Sequence, residues 1–171
     1  LVGAWPLEAM DEDGHARFVS RIQAYMNKAV KEAKEHSSWI SPDAEYEEGL
    51  KQFIDRLLDR STANPFLEEF LPFQARVAQY GLYNSLSQLL LKITVPGAPD
   101  FYQGTELWDF SLVDPDNRRP VDFEKRAALL ADLNRDSAAA PDRGAFLQDL
   151  FAHRADGRIK LYVTAEALRY R

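Results

Sequence analysis

Polar and aromatic side chains concentrate between Pro96 and Asp122, in a stretch that shows neither helical nor strand periodicity. Aromatic rings can stack on the C–H face of a sugar, and charged or amide groups can hydrogen-bond its hydroxyls. The candidates are Tyr102, Trp108, Asp109, Phe110, Asp114, Asp116, Asn117, Arg118 and Arg119. The stretch therefore predicts a carbohydrate-binding loop. The alternative is a loop closed by its own ion pairs, with the aromatic rings in the core.

Other kinds of site are disfavoured by the spacing of their residues. Asp114 and Asp116 begin like a calcium loop, but Arg118 and Arg119 stand where further oxygen ligands and a glycine would be needed. The three histidines lie on separate segments without ligand spacing, and no serine lies in a G-x-S-x-G elbow. We expect neither a metal ion nor a cofactor.

The composition limits the class of protein. The chain has 171 residues, of which 46% are hydrophobic and 28% charged, as expected of one globular domain with or without an appendage. No apolar run is long enough to span a bilayer, and cysteine is absent. The net charge of -6 argues against nucleic acid or anionic lipid as a partner. We expect a cytoplasmic protein without a membrane partner.

Both ends of the chain are unusually apolar. It begins Leu1-Val2-Gly3-Ala4-Trp5-Pro6 and ends Ala167-Leu168-Arg169-Tyr170-Arg171. Because frayed termini are usually polar, we expect a piece of a longer protein, the alternative being a processed whole domain.

Helical periodicity dominates the elements before the loop. Apolar residues recur at steps of three and four over residues 13–35, with Asp13 as the candidate N-cap. Ser41 and Pro42 predict the start of a second helix, and Asn64-Pro65 repeats that signal before a short helix ending near residue 71. Pro72 is expected to open or kink the longest helix.

Helices are also predicted on the far side of the loop. Asp122 is the candidate cap of another helix, and residues 143–153 predict a further one. Residues 159–171 fit a strand or a helix, and we favour the helix. Near 95–102 the proline and glycine residues predict an irregular or strand segment.

Two motifs resemble a known family. Residues 90–106 read LLKITVPGAPDFYQGTE and resemble the last barrel strand of the α-amylase superfamily of glycoside hydrolases, where P-G-x-P-x-x-Y-x-G-x-E is typical. The sequence DPDNRRPVD over 114–122, taken with ELWD over 106–109, resembles the trehalose-forming glucosylmutases of that superfamily. Residues 1–7, 21–26 and 158–162 are similar to the same enzymes, so the resemblance covers nearly the whole chain.

The resemblance implies an intramolecular transglucosylation. The reducing-end α-1,4 linkage of a maltooligosaccharide would become the α-1,1 linkage of trehalose, by a retaining mechanism with a carboxylate nucleophile and a carboxyl acid/base. The released glucose would have to stay in a closed pocket at the mouth of a (β/α)₈ barrel, protected from water.

The resemblance also implies which residues this chain carries. The superfamily's three catalytic carboxylates lie on barrel strands four, five and seven, so all three precede Leu1 if Val95–Tyr102 is strand eight. We therefore expect no catalytic residue here and no activity of the chain alone. The implied substrate-binding residues are Tyr102, Glu106, Trp108, Asp109, Asn117, Arg118 and Arg119.

The expected fold is mainly α, a helical bundle fragment of a (β/α)₈-barrel enzyme. Residues 1–62 would form a helical subdomain, 63–123 the last barrel helix, strand and substrate-side loop, and 124–171 a C-terminal helical segment. A lone parallel strand has no pairing partner, so the 95–102 segment should be irregular or mediate self-association. The expected partners are a maltooligosaccharide and the missing N-terminal barrel. Two alternatives stay open: a fragment of another α-amylase-type hydrolase, and an autonomous helical interaction module.

Overall fold

The computed structural model describes residues 1–170, and within that range all of the regular secondary structure is helical. The α-helices are α1 (Glu12–Ala33), α2 (Ala44–Leu57), α3 (Pro65–Thr94), α4 (Phe123–Ala139), α5 (Arg143–Ala152) and α6 (Arg158–Tyr170). Single 3₁₀ turns occur at Asp116–Arg118 and Arg154–Asp156. The mainly α prediction is confirmed.

The segment near residues 95–102 contains neither helix nor strand, as predicted. The last segment is helical, which confirms the choice of helix over strand for residues 159–170. Gly157 precedes this helix with a φ of 83°, a conformation that glycine adopts without strain.

Two of the predicted helix caps are wrong. Asp11 rather than Asp13 caps α1, because its side chain accepts a hydrogen bond from the backbone N–H three residues later. Asp43 rather than Ser41 caps α2 in the same way. In both cases an aspartate two residues away provides the cap.

The predicted caps of the other two helices are confirmed. The Asn64 side chain accepts from the Leu67 N–H at 3.2 Å, and the Asp122 side chain accepts from the Lys125 N–H at 2.8 Å. Asp122 thereby ends the loop and begins the helix that follows it.

Pro72 does not separate two helices. Helix α3 runs without interruption from Pro65 to Thr94 with Pro72 inside it, so the prediction of a short helix ending near residue 71 is wrong. An internal proline costs a helix about 3 kcal/mol through a lost hydrogen bond and a steric clash. Leu67 and Gln74, on either side of Pro72, are both buried.

The chain divides into two compact units, each with its own core. The first unit contains residues 1–78 and 110–119. Its core residues are Ala4, Trp5, Phe18, Ile22, Ile54, Leu58 and Leu67. The second unit contains residues 79–109 and 120–171. Its core residues are Leu107, Leu133, Leu150, Ile159, Leu161 and Tyr162.

The division expected from the sequence, with boundaries after residues 62 and 123, refers to the parts of a parent enzyme and stays a prediction. No helix among residues 1–170 is both long and apolar enough to cross a membrane.

The core of the first unit leads to a stability prediction. Phe18 is 2% exposed, and its ring centroid lies 4.9 Å from that of Trp5. Phe18→Ala should lower the free energy of unfolding by about 3–5 kcal/mol, because it removes buried surface and leaves a cavity. Phe53, which is 59% exposed, supplies the control. Urea titration of both variants measures the effect, and Phe53→Ala should change the free energy of unfolding by less than about 0.5 kcal/mol. Equal losses in the two variants would contradict the assigned core.

Candidate substrate-side loop

The 95–122 loop contains every residue that the sequence proposed for substrate binding. Residues 110–119 belong to the first compact unit, and residues 95–109 and 120–122 belong to the second. Outside one 3₁₀ turn the loop has no regular secondary structure, so its backbone polar groups need other partners.

In the first unit, Arg21 of α1 fixes the shape of residues 110–116. Its guanidinium donates to the two carboxylate oxygens of Asp116 at 3.0 and 2.9 Å, and also to the carbonyl oxygen of Phe110 at 3.0 Å. Asp116 additionally accepts from the backbone N–H of Leu112 at 2.7 Å. The Arg21 and Asp116 side chains are only 21% and 16% exposed, so this is a forked ion pair largely shielded from water.

The environment of Asp116 favours its charged form. Hydrogen bonds from Arg21 lower the pKa of this carboxyl group, although its partial burial acts in the opposite direction. The Leu112 N–H and the positive charges of Arg21 and Arg119 lower the pKa further. Asp116 is therefore held in its charged form within this ion pair.

A second cation from α1 contacts the same portion of the loop. Lys28 donates to the carbonyl oxygen of Asp114, and its ammonium group lies 3.8 Å from the Asp114 carboxylate. Within the loop, Arg118 pairs with that carboxylate. These contacts close the turn that precedes the two adjacent arginines.

Arg118 and Arg119 remain at the surface of the first unit. The Arg118 side chain is 73% exposed and the Arg119 side chain is 54% exposed. Arg119 donates to the Ser111 hydroxyl at 2.8 Å and to the Asp116 carbonyl oxygen at 3.0 Å. Both guanidinium groups are thus oriented by neighbours while still accessible to a ligand.

In the second unit, Arg126 of α4 fixes the loop as Arg21 does in the first unit, by binding a carboxylate and the loop main chain. It donates to the Glu106 carboxylate at 3.0 Å and to the carbonyl oxygens of Gly104 and Asp122 at 2.7 and 3.0 Å. Gly104 has a φ of 89°, and a Cβ atom there would lie 3.0 Å from the Val121 side chain. The turn therefore requires glycine, and Glu106 is engaged by an arginine that also binds the backbone.

Trp108 is built into the second unit. Its indole N–H donates to the carbonyl oxygen of Arg154 at 2.6 Å, and the side chain packs against the core of this unit. The ammonium group of Lys160 lies 5.5 Å from the Trp108 ring centroid and donates to the Leu107 carbonyl oxygen at 3.0 Å. The ring is therefore a rigid, partly buried element.

Lys160 also contacts the loop, although sequence analysis did not propose it as a functional residue. Burial lowers the pKa of its ammonium group, while the charges of Asp109 and Glu106 act to raise it and that of Lys92 lowers it. Its neighbours along the chain, Ile159 and Leu161, are both buried. A lysine between two buried apolar residues was the available signal, but its partner carbonyl lies 53 residues earlier.

The proposed binding residues are divided between the two units. Tyr102, Glu106, Trp108 and Asp109 lie in the second unit, whereas Asn117, Arg118 and Arg119 lie in the first. Tyr102 and Asp109 are exposed. The ion pairs and the partly buried Trp108 also agree with the alternative of an internally closed loop. Substrate contact by each of these residues stays a prediction.

Among residues 1–170 no group of three or more histidine, aspartate or glutamate side chains is arranged to hold a metal ion.

Comparison with known proteins relates the chain to a class of enzymes, the trehalose-forming synthases. The relatives that match it are maltooligosyl trehalose synthases. A protein of Mycobacterium tuberculosis strain H37Rv, provisionally named maltooligosyl trehalose synthase, is 40% identical over 133 residues, which is 78% of this chain and 16% of the relative. The corresponding protein of strain CDC 1551 matches equally well. No family model matches the chain.

Solved structures give the same relationship. A crystal structure of maltooligosyl trehalose synthase matches the whole chain with a TM-score of 0.82 and 35% identity, over 21% of its own length. The enzyme from Arthrobacter ramosus matches 99% of the chain with a TM-score of 0.75 and 35% identity, over 19% of its length.

The chain is therefore homologous to a part of these enzymes, and it spans about a fifth of the length of the solved structures it matches. This confirms the resemblance to trehalose-forming enzymes. That the matched part is the C-terminal one stays a prediction.

The Arg21–Asp116 pair leads to a pH prediction. Because the folded-state pKa of Asp116 is lowered, the stabilisation from its carboxylate is complete above its ordinary pKa of about 3.9 and is lost as the pH falls through the lower, folded-state value. Asp116→Asn should therefore cost about 1.5–3 kcal/mol of unfolding free energy at neutral pH. The difference from the parent chain should shrink as the pH falls below that ordinary value.

Urea unfolding at neutral and acid pH tests this. Asp114→Asn is the matched control, because its carboxylate is 46% exposed and pairs with a still more exposed arginine, a geometry worth less than about 1 kcal/mol. A cost for Asp116→Asn that does not change with pH, or that is no larger than the cost for Asp114→Asn, would contradict the assignment.

Proposed function

We propose that this chain is a C-terminal segment of a maltooligosyltrehalose synthase, a cytoplasmic glucosylmutase. The enzyme would convert the reducing-end α-1,4 linkage of a maltooligosaccharide to the α-1,1 linkage of trehalose. The segment would supply a substrate-side loop, and the catalytic carboxylates would come from the rest of the enzyme.

The observation that carries this proposal is the homology over nearly the entire chain to enzymes of that name. The loop geometry supports it further. Cations from the helices bind the loop main chain in each unit, while Arg118, Arg119 and Tyr102 remain exposed. Pre-oriented donors of this kind suit the hydroxyl groups of a sugar.

In the proposed reaction, a carboxylate outside this chain attacks the anomeric carbon of the glucose unit next to the reducing end and forms a glucosyl-enzyme that carries the rest of the oligosaccharide. The α-1,4 bond to the reducing-end glucose breaks, and a carboxylic acid protonates the oxygen of this departing glucose. The departing glucose then attacks through its own anomeric hydroxyl, and the acid, now a base, accepts that proton. Release of glucose or entry of water would divert the intermediate to hydrolysis. The role assigned to the loop is to retain the glucose through hydrogen bonds and to exclude water.

Arg118 and Arg119 are the positively charged residues among the proposed binding residues, and both side chains are exposed. In the first unit, the ion pair of Arg21 with Asp116 fixes the turn that carries them. Charge-assisted hydrogen bonds to a hydroxyl are directional, so a fixed turn would let them select one orientation of the glucose. Trp108 would provide an apolar, rigid surface, and Glu106 would support the rim.

The first prediction from this proposal concerns the segment alone. The purified 171-residue chain should form no trehalose-capped product from maltopentaose, because it would lack the nucleophile and the acid/base. The full-length enzyme that contains this segment should form it under the same conditions, as measured by chromatography of the products. Sustained product formation by the chain alone would overturn the division of roles. Free maltose instead of a trehalose-capped product from the full-length enzyme would indicate a hydrolase.

The second prediction concerns the two exposed arginines in the full-length enzyme. If they bond to the glucose in the transition state, Arg118→Ala and Arg119→Ala should each lower kcat by roughly 10-fold or more, the loss expected for one charge-assisted hydrogen bond. Arg135→Ala is the matched control, because Arg135 is an exposed arginine of α4 that pairs with the neighbouring Asp132 and Asp136. Unchanged kcat with a lowered melting temperature would assign both arginines a purely structural role.

A further inference from the structure

The turn that leads into α6 contacts the Trp108 side chain at three points. The Arg154 carbonyl oxygen accepts the indole N–H at 2.6 Å, and the Lys160 ammonium group lies 5.5 Å from the ring centroid. Gly157 lies between them in sequence with a φ of 83°, and a Cβ atom there would lie 3.4 Å from the Trp108 ring. Glycine therefore allows both the turn and the close approach of the ring. All of these residues belong to the second unit.

Lys160 also holds the main chain next to the ring. Its ammonium group donates to the carbonyl oxygen of Leu107, the residue that precedes Trp108, at 3.0 Å. The buried neighbours Ile159 and Leu161 fix the part of α6 that carries Lys160. One cation therefore restrains both the backbone before Trp108 and the ring itself.

Trp108 is only partly buried, so a portion of the indole stays at the surface of the second unit. An apolar ring that is held in one orientation can keep water away from an adjacent reactive group. Residues 158–162 are one of the segments that resemble the trehalose-forming enzymes, and the contact of Lys160 with Trp108 gives this segment a role.

We propose that Lys160 is a positioning residue that acts through Trp108 and determines how much of the glucosyl-enzyme is transferred rather than hydrolysed. The proposal rests on the proposed function. Lys160 holds the indole as part of the wall around the intermediate, and loss of its ammonium group lets the ring reorient and water enter. Lys160 itself needs no contact with the sugar.

The glucosyl-enzyme has two fates, which give different products. When the retained glucose attacks through its anomeric hydroxyl, the bond to the enzyme carboxylate breaks, the base accepts the hydroxyl proton and the trehalose-capped product forms. When water attacks instead, the same bond breaks, the base accepts a proton from water, and maltopentaose yields maltotetraose and free glucose. The ratio of free glucose to trehalose-capped product therefore measures the partition, and this ratio does not depend on the fraction of enzyme that is folded.

Lys160→Met in the full-length enzyme tests the proposal, because methionine keeps most of the apolar stem and removes the charge and the donor. With maltopentaose as substrate, chromatography should show that the ratio rises about two- to five-fold, the change expected from loss of a cation–π contact. Lys160→Arg keeps a cation near the ring and should restore most of the ratio of the unmodified enzyme. Lys160→Gln carries the same prediction as Lys160→Met and replaces it if the methionine variant does not fold.

Lys125→Met is the matched control, because Lys125 is an exposed lysine of α4 in the same unit. Its ratio should equal that of the unmodified enzyme. An unchanged ratio in Lys160→Met, together with a lower melting temperature, would assign Lys160 a purely structural role and overturn the proposal. An equal rise in Lys125→Met would overturn it as well.

A double variant tests whether Lys160 acts through Trp108. Trp108→Phe keeps an aromatic ring but removes the indole N–H, and it should itself raise the ratio. Adding Lys160→Met should then raise the ratio little further, because the orientation of the ring is already lost. Independent, multiplicative effects of the two substitutions would contradict action through Trp108.

The unmodified full-length enzyme distinguishes failure of the proposed function from failure of this inference. If it forms no trehalose-capped product, the proposed function fails, and the role of Lys160 fails with it. If it forms that product and Lys160→Met leaves the ratio unchanged, only the role of Lys160 is overturned.

Discussion

The loop main chain lacks helical or strand partners over most of its length, and helix-borne cations supply them instead. In the first unit, Arg21 and Lys28 donate to loop carbonyl oxygens. In the second unit, Arg126 and Lys160 do the same. An unpaired buried carbonyl is costly, so these four side chains fix where the loop runs. The loop's shape therefore depends on charges borne by other elements, and three of them, Arg21, Lys28 and Lys160, lie far from it in sequence.

This arrangement separates the side chains that shape the loop from those left for a ligand. Asp116 and Glu106 are engaged by arginines from the helices, whereas Arg118 and Arg119 stay largely exposed. Electrostatic groups assist a reaction most when they are oriented before the reaction begins. A loop shaped by its neighbours rather than by its ligand suits the proposed role of retaining a glucose molecule between two chemical steps.

Sequence reasoning located the elements whose signals are local. The caps at Asn64 and Asp122 and the final helix depend on neighbouring residues and periodicity, and all three are confirmed. The predicted caps Asp13 and Ser41 were wrong, because in each case an aspartate two residues away caps the helix instead. The partners of the loop could not be predicted, because they depend on tertiary packing. Arg21 and Asp116 lie 95 residues apart, and Lys160 lies 53 residues from the carbonyl it binds.

We propose that the loop fixed by helix cations faces a maltooligosaccharide in the parent enzyme. Hydrogen exchange of the full-length enzyme, measured by mass spectrometry with and without saturating maltopentaose, tests it most directly. The account predicts that oligosaccharide slows exchange in peptides covering residues 102–119. Unchanged exchange in those peptides, with protection appearing elsewhere in the enzyme, would contradict it.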